Sequence, residues 1–316
     1  MQAPDKVEEF AGKWILDADP RAEKTLRACV ACGSREAKQL GEKHGLAMLA
    51  CRKCASLYTP YSPWYSNQFY YETYYKEENL SPPPFLQTRL AEITGAFAPY
   101  RQTNRLLDIG CGAGNLLLAA RKHGWNGQGL DVSANAVKHV RELGFEVFQG
   151  ELREADFPAG HFDVITAAEF LEHLPEPREL LQEVARVLRP GGLLWTTTPH
   201  ARGLSARVLG LNWRCIWPPE HLQLFSVSGL KSLLRDVGFR EIRVQTTGGN
   251  PLEILHALGK KDVPKTVDQY FDRVSTGYQL NESLMKSRSR RLVKEMLNGA
   301  LNLTRLGDTL KVFAVR

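Results

Sequence analysis

No stretch of the 316 residues approaches the roughly 18 consecutive apolar positions that a membrane-spanning helix needs. The opening residues, MQAPDKVEEF, lack the basic-then-apolar pattern of an export signal. These two absences predict a cytoplasmic location and no membrane partner. No internal repeat or low-complexity tract is present, which excludes a solenoid or a fibrous chain. Cysteine is sparse: Cys111 and Cys215 stand alone, and the other four of the six form two C-x2-C pairs. In a reducing cytosol this arrangement favours metal over disulfides. What remains is an ordinary globular composition, 43% hydrophobic and 24% charged, long enough for a large domain plus a small one.

The net charge of +6 permits an anionic partner without requiring one. The excess gathers at the end of the chain. From Pro251 to Arg316 there are 12 Lys and Arg against 7 Asp and Glu, densest in Lys286 to Arg291, KSRSRR. Two readings stay open for this run: a solvated helix face, or a surface for an anionic substrate or nucleic acid.

Residues 1–27 read as a polar arm, and 28–58 carry the paired cysteines. Residues 60–84 are rich in Tyr and Pro and close on Pro82 to Pro84, which no helix can continue through. From Phe85 the pattern alternates. Helices are expected over Phe85–Tyr100, Gly114–His123, Ala134–Leu143 (capped by Ser133), Pro177–Leu188 and Val227–Val237. Strands are expected over Arg105–Ile109, Gly127–Leu130, Glu146–Gln149, Phe162–Ala168, Leu193–Thr198, Arg240–Thr246 and Asp308–Val315. Arg189-Pro190-Gly191-Gly192 reads as a sharp turn. Strands separated by ten-residue helices imply βαβ units and a parallel sheet. The expected organisation is therefore an α/β domain over 85–316 with a helical insertion at 251–305, preceded by an arm, cysteine module and linker over 1–84.

Between the first strand and the next helix lies Asp108-Ile109-Gly110-Cys111-Gly112-Ala113-Gly114. Glycines there let the backbone turn left-handed and approach a ligand closely. A pyrophosphate loop would read GxGxxG, whereas here the third glycine comes one residue early, and Asp108 would repel phosphate. A carboxylate suits a ligand with an ammonium group, such as the methionine end of S-adenosylmethionine. Asp131, 17 residues beyond Gly114 at the end of the second strand, can accept both hydroxyls of a ribose.

LLDIGCGAG, GLDVS, FQGEL, FDVITAAEFLEHL and VLRPGGLLWTTTP, in this order, resemble the class I S-adenosylmethionine-dependent methyltransferases. The resemblance implies a Rossmann-like, mostly parallel seven-stranded sheet whose last strand is antiparallel and inserted between the fifth and sixth. It gives Asp108, Gly110 and Gly112 to the methionine moiety and Asp131 to the ribose. It sets Val132 against the adenine and Glu151 and Leu152 where an acid caps the adenine amino group, and it places Glu169 on the cofactor cleft. For Val132 and Leu152 plain core packing is the alternative.

The spacing C-x2-C, eighteen residues, C-x2-C at Cys29, Cys32, Cys51 and Cys54 matches a zinc ribbon with a closed, structural Zn2+ site. Cys111 reads as a small buried residue. Methyl transfer also needs a base in many cases, and His173, His200 and His221 are the candidates. The favoured one is His221, with Glu220, in Trp217-Pro218-Pro219-Glu220-His221-Leu222. This segment resembles the Tyr-x-Glu-His motif of zinc-containing sugar C-methyltransferases, which also carry a four-cysteine module. Pro218 stands in the tyrosine's place, which shifts the expected acceptor toward oxygen or nitrogen. A bland alternative is a histidine that fastens the backbone of this segment. The Tyr70, Tyr71, Tyr74 and Tyr75 cluster reads as an interdomain seam or as a lid. The expected function is methyl transfer to a small-molecule acceptor: a sugar, a nucleotide-sugar, or a polysaccharide or natural-product precursor. The alternative is an RNA methyltransferase that holds phosphates with its ribbon and basic insertion. The oligomeric state is left open.

Overall fold

A computed structural model describes residues 27–60, 84–218, 220–251, 253–255 and 287–316. The tyrosine cluster and most of the expected insertion lie outside these residues. The chain divides into two compact units. One gathers Met1–Tyr65, Thr198–Leu230 and Gln245–Leu310; the other gathers Ser66–Thr197, Lys231–Val244 and Lys311–Arg316.

The second unit is built on the expected alternation. It opens with α1 (Pro84–Gly95), followed by β4 (Arg105–Ile109), α2 (Asn115–Lys122), β5 (Asn126–Asp131), α3 (Ala134–Glu142), β6 (Glu146–Gln149), β7 (Phe162–Ala168), α4 (Pro177–Val187) and β8 (Leu188–Pro199). After these come α6 (Val227–Asp236), β10 (Ile242–Thr247) and β11 (Thr309–Val315), of which residues 227–230, 245–247 and 309–310 belong to the first unit, as do 198–199 of β8. The three strands of the cysteine hairpin, described below, take the numbers β1 to β3. The sheet order is β10-β11-β8-β7-β4-β5-β6, and the pairs β8/β7, β7/β4, β4/β5 and β5/β6 are parallel. β11 lies between β10 and β8, as the resemblance implies. It runs opposite to both: Gly191 N and Arg316 N bond Arg316 O and Gly192 O where β8 starts, and Arg240 N bonds Val315 O ahead of β10.

The local causes are plain. β7 is buried along FDVITA because a parallel strand is covered on both faces. The Ser133 hydroxyl accepts the Ala136 N–H and so starts α3, as its position predicts. Pro177 opens α4, where a missing N–H costs nothing, and Leu181, Val184 and Val187 turn one stripe inward. Leu106, Val164, Leu193 and Trp195 from the sheet meet Phe97, Leu117 and Val140 in the core. The first helix ends at Gly95, short of the expected Tyr100, and a separate 3-10 turn spans Ala98–Tyr100; a second element also differs. Arg189 to Gly192 do not separate α4 from a strand; they form an irregularity within β8, between the pairs Phe162↔Leu188 and Val164↔Leu193. The side chain of Arg189 pins it by an ion pair to buried Asp163, 2.7 Å away.

In the first unit β1 (Ala37–Lys43) and β2 (Leu46–Cys51) form an antiparallel hairpin closed by His44 and Gly45, both left-handed at φ +50° and +72°. This two-residue turn matches the twist of its strands. β2 pairs with β3 (Leu57–Tyr58), and β3 pairs with β9 (Gln223–Leu224), which arrives from the connection after β8. The cysteine hairpin and that connection share a core of Met48, Leu57, Ala201, Leu209, Trp213, Ile216 and Leu224. The same unit holds α5 (Leu204–Leu209) and α7 (Arg288–Thr304), the latter being what the described residues include of the insertion's end.

Candidate functional site

β4 ends by delivering Asp108 to the carboxyl edge of the sheet, where ligands of open α/β folds bind. Gly110 N and Cys111 N both donate to Leu130 O, at 2.8 and 3.1 Å, which ties the loop to the end of β5. Gly110, Gly112 and Gly114 have φ of +66°, +49° and +71°. A β-carbon on Gly110 would lie 2.5 Å from Cδ2 of the Phe170 ring. Gly110→Ala is therefore expected to cost both a strained φ and a displaced ring. Cofactor affinity, read by calorimetry, should fall at least tenfold (about 1–3 kcal/mol of strain), and an unchanged value would contradict the geometry.

Asp131, at the end of β5, is held at both oxygens: Oδ2 accepts from Gly112 N and Oδ1 from Ser133 N, each at 2.9 Å. Asp108 Oδ1 accepts from the Thr166 hydroxyl at 2.6 Å. Both carboxyls are buried. Burial, against the Thr166 hydrogen bond and helped by the nearby Asp131 charge, pushes Asp108 up to about 7. Burial also raises Asp131, opposed by the N–H groups of Ser133 and Gly112. Two buried acids at neighbouring strand ends, beside a backbone stripped of β-carbons, fit a ligand with a cationic end and a polyol.

The other expected cofactor residues lie at the same edge of this unit. Val132 is 47% exposed, a large apolar side chain left at the surface directly after Asp131. Glu151 is exposed and follows β6, while Leu152 is fully buried. Glu169 follows β7, is exposed, and takes a left-handed φ of +48°. That turn precedes Phe170, whose ring lies on Gly110. Thr166 and Phe170 were not among the expected residues. Thr166 is the register partner of Asp108 across β4/β7, so only strand alignment could have found it.

His221, in the first unit, is buried; its ring donates Nδ1–H to Cys215 O at 2.7 Å, since a carbonyl can only accept. Glu220 beside it is buried as well. His200 donates Nδ1–H to Gly307 O at 2.9 Å, and burial pushes it down to about 4, so it is neutral at working pH and fastens backbone. His173 belongs to a single 3-10 turn, Leu171–His173, in the second unit. His44 is a further participant that sequence inspection missed. At the hairpin tip it donates Nδ1–H to Pro218 O at 2.9 Å and meets the Trp217 ring edge-on at 4.3 Å.

The four paired cysteines converge. Their sulfurs lie within 4.8 Å of one another, with Cys29 to Cys54 and Cys32 to Cys51 each at 3.6 Å. A tetrahedral zinc with Zn–S near 2.3 Å requires about 3.8 Å between sulfurs, so the donor set fits. The two turns repeat one construction. Gly33 N bonds Cys29 O and Ala55 N bonds Cys51 O, with φ of +71° at Gly33 and +60° at Ala55. Ser226 and Ser228 hydroxyls both donate to Cys54 O. Gly229 leaves no space for a side chain above Ser56 and Cys54.

Residues 84–244, about half of the chain, match the family described as methyltransferase domain, and the chain belongs to it. Its relatives include the ubiquinone biosynthesis O-methyltransferases of Ralstonia nicotianae and Paracidovorax citrulli. The first is 29% identical over 167 residues, covering 49% of this chain and 70% of that protein. The second is 30% identical over 185 residues, covering 54% and 76%. Two solved structures share the fold. One is a SAM-dependent methyltransferase from Archaeoglobus fulgidus, with TM-score 0.50 and 20% identity, covering 79% of this chain and 100% of that one. The other is Haemonchus contortus phosphoethanolamine N-methyltransferase 2 in complex with phosphomonomethylethanolamine and S-adenosylhomocysteine. Its TM-score is 0.51 at 18% identity, covering 82% of this chain and 63% of that one. The protein is a class I methyltransferase that uses S-adenosylmethionine as its methyl donor.

Proposed function

We propose that the protein methylates a hydroxyl of a small-molecule acceptor: a sugar, a nucleotide-sugar, or a precursor of a polysaccharide or natural product. The observation that carries methyl transfer is the pair of buried carboxylates beside the glycine loop: Asp131, which accepts from Gly112 N, and Asp108, which is held by Thr166. Oxygen as the acceptor is supported by the relatives, named as O-methyltransferases. The carbohydrate class is supported by the resemblance of Pro218 to His221, beside a four-cysteine module, to zinc-containing sugar methyltransferases.

In this reading Asp108, with the Gly110 and Gly112 backbone, holds the methionine end and Asp131 the ribose. Val132 and Leu152 border the adenine, Glu151 caps its amino group and Glu169 lines the cleft. Bound S-adenosylmethionine supplies a methyl group on a sulfonium, ready for in-line displacement. The Cys215 carbonyl fixes the His221 tautomer, so Nε2 carries the lone pair that takes the acceptor's hydroxyl proton. Glu220 is the second base candidate. Zn2+ on Cys29, Cys32, Cys51 and Cys54 is structural, closing the site without an open position.

The test is a screen of nucleotide-sugars and hydroxylated small molecules with radiolabelled cofactor. With the acceptor found, His221→Ala should lower kcat about 10²–10⁴-fold and leave cofactor affinity intact. Unchanged turnover removes His221 from the chemistry. Methylation of RNA alone, with binding that falls steeply with salt, would overturn the small-molecule reading.

A further inference from the structure

α7 is amphipathic the wrong way round. Its polar line faces its own unit: Asn298 Oδ1 accepts from Gly248 N at 3.0 Å and Asn302 Oδ1 from Thr246 N at 2.9 Å. Between them Leu301 O accepts the Thr246 hydroxyl. At 3.6 residues per turn the opposite arc carries Leu292, Met296 and Leu303 along one edge and Val293 and Leu297 along the other. All five are exposed, from 52% at Val293 to 86% at Leu303. An apolar arc of this size on a helix is not a solvated face.

The charges of the same helix decide what covers it. Within Arg288–Thr304 there are four cations, Arg288, Arg290, Arg291 and Lys294, against one acid, Glu295. Arg290 borders the apolar arc, whereas Arg291 and Lys294 fall on the asparagine line, Arg291 in an ion pair with Glu295 at 3.1 Å. A second copy docked about a two-fold axis would set this basic helix against itself. Residues 256–286 of the same chain contain five Lys or Arg and four Asp or Glu, so they bring no net countercharge. An apolar arc on a helix of net positive charge and low net hydrophobicity is the pattern of a helix lying in the headgroup layer of an anionic bilayer.

We propose that α7 docks the protein on an anionic lipid surface, its Leu292–Met296–Leu303 edge immersed and its asparagine line turned back to the protein. This departs from the expectation of no membrane partner, which weighed spanning segments only. Among the described residues no helix is long and apolar enough to cross a membrane.

The test uses the full chain and vesicles of phosphatidylcholine, alone or mixed with phosphatidylglycerol. The protein should sediment with the mixed vesicles, on the order of tenfold more than with phosphatidylcholine alone, and added salt should weaken this. Met296→Asp with Leu303→Asp should abolish sedimentation while thermal melting and cofactor affinity stay unchanged, because both side chains are exposed. Absence of vesicle binding overturns the proposal. So does binding that the apolar variants do not alter. So does a dimer, seen by sedimentation velocity, that these variants dissolve while vesicles bind nothing; the arc would then serve a second copy.

Discussion

Replacement of Asp108 by Asn is expected to lower affinity for S-adenosylmethionine about 10²–10³-fold, the scale for removing one partner of a buried, hydrogen-bonded charge pair. Asn keeps the size of the side chain and can still accept from Thr166, so the loss reports charge. The same residue sets a pH dependence. Burial holds Asp108 neutral until about pH 7 in the cofactor-free protein, whereas a bound ammonium group requires the carboxylate. Below pH 7 binding must release a proton, so affinity should fall about tenfold per pH unit and level off above 7. Stability of the cofactor-free protein should run the same way in cause and opposite in sense to an ordinary salt-bridged acid. As pH climbs from 3.8 toward 7 the unfolded chain has released a proton that the folded chain retains, so stability declines across that window and is flat beyond it. Calorimetric titrations between pH 5.5 and 8.5 and thermal melts over the same span check both. A pH-independent affinity in the unmodified protein, or an Asp108→Asn variant that keeps the slope, would sink the assignment.

The second large effect concerns the four cysteines. Metal analysis should return about one zinc per chain, and Cys54→Ser should abolish it. Structural zinc stabilises small modules by roughly 10 kcal/mol or more in apparent terms, so the loss should melt the β1-β2-β3-β9 sheet. Two connections extend the damage to the base candidates. Lys43 donates to Trp213 O and His44 to Pro218 O, which brackets the stretch leading to Glu220 and His221. Turnover should therefore disappear. Cofactor affinity should stay within a few-fold, because Asp108, Gly110, Gly112, Asp131 and Val132 belong wholly to the other unit. Equal loss of cofactor binding and turnover would refute this separation, and an unchanged melting profile would refute a structural metal.

The α/β half was legible wherever an element was short, apolar and punctuated. β4, β6 and β7 have the ranges expected of them; a glycine ends β4 and β6, and β7 is a mostly apolar run between polar His161 and Glu169. The helix cap at Ser133 was readable for the same reason: a small hydroxyl before a periodic segment. The positions of Asp108 and Asp131 were readable because both sit at strand ends beside the glycines. What escaped depends on pairing across distance. β3 and β9 are two residues each and meet through neighbours some 170 positions apart, as Ser56 and Ser226 do. Thr166 acts through register, Phe170 through the left-handed backbone of Glu169, and His44 through a hairpin tip. None of these leaves a local pattern. The apolar arc of α7 was in the letters all along, but periodicity does not say which side of a helix faces outward.

The unit that carries the cysteines is assembled from three stretches of chain, and this bears on its synthesis. Cys29 to Cys54 leave the ribosome long before Gln223 and Leu224, at a synthesis rate of about 5–20 residues per second. For that interval the hairpin can gather its four cysteines, yet the β3 edge has no strand to meet and its core lacks Trp213, Ile216 and Leu224. The α/β strands β4 to β8 emerge in between and can pair among themselves. The order of emergence is thus the cysteine hairpin first, strands β4 to β8 next, then the segment bearing Glu220 and His221, and last β10 and β11, which complete the sheet.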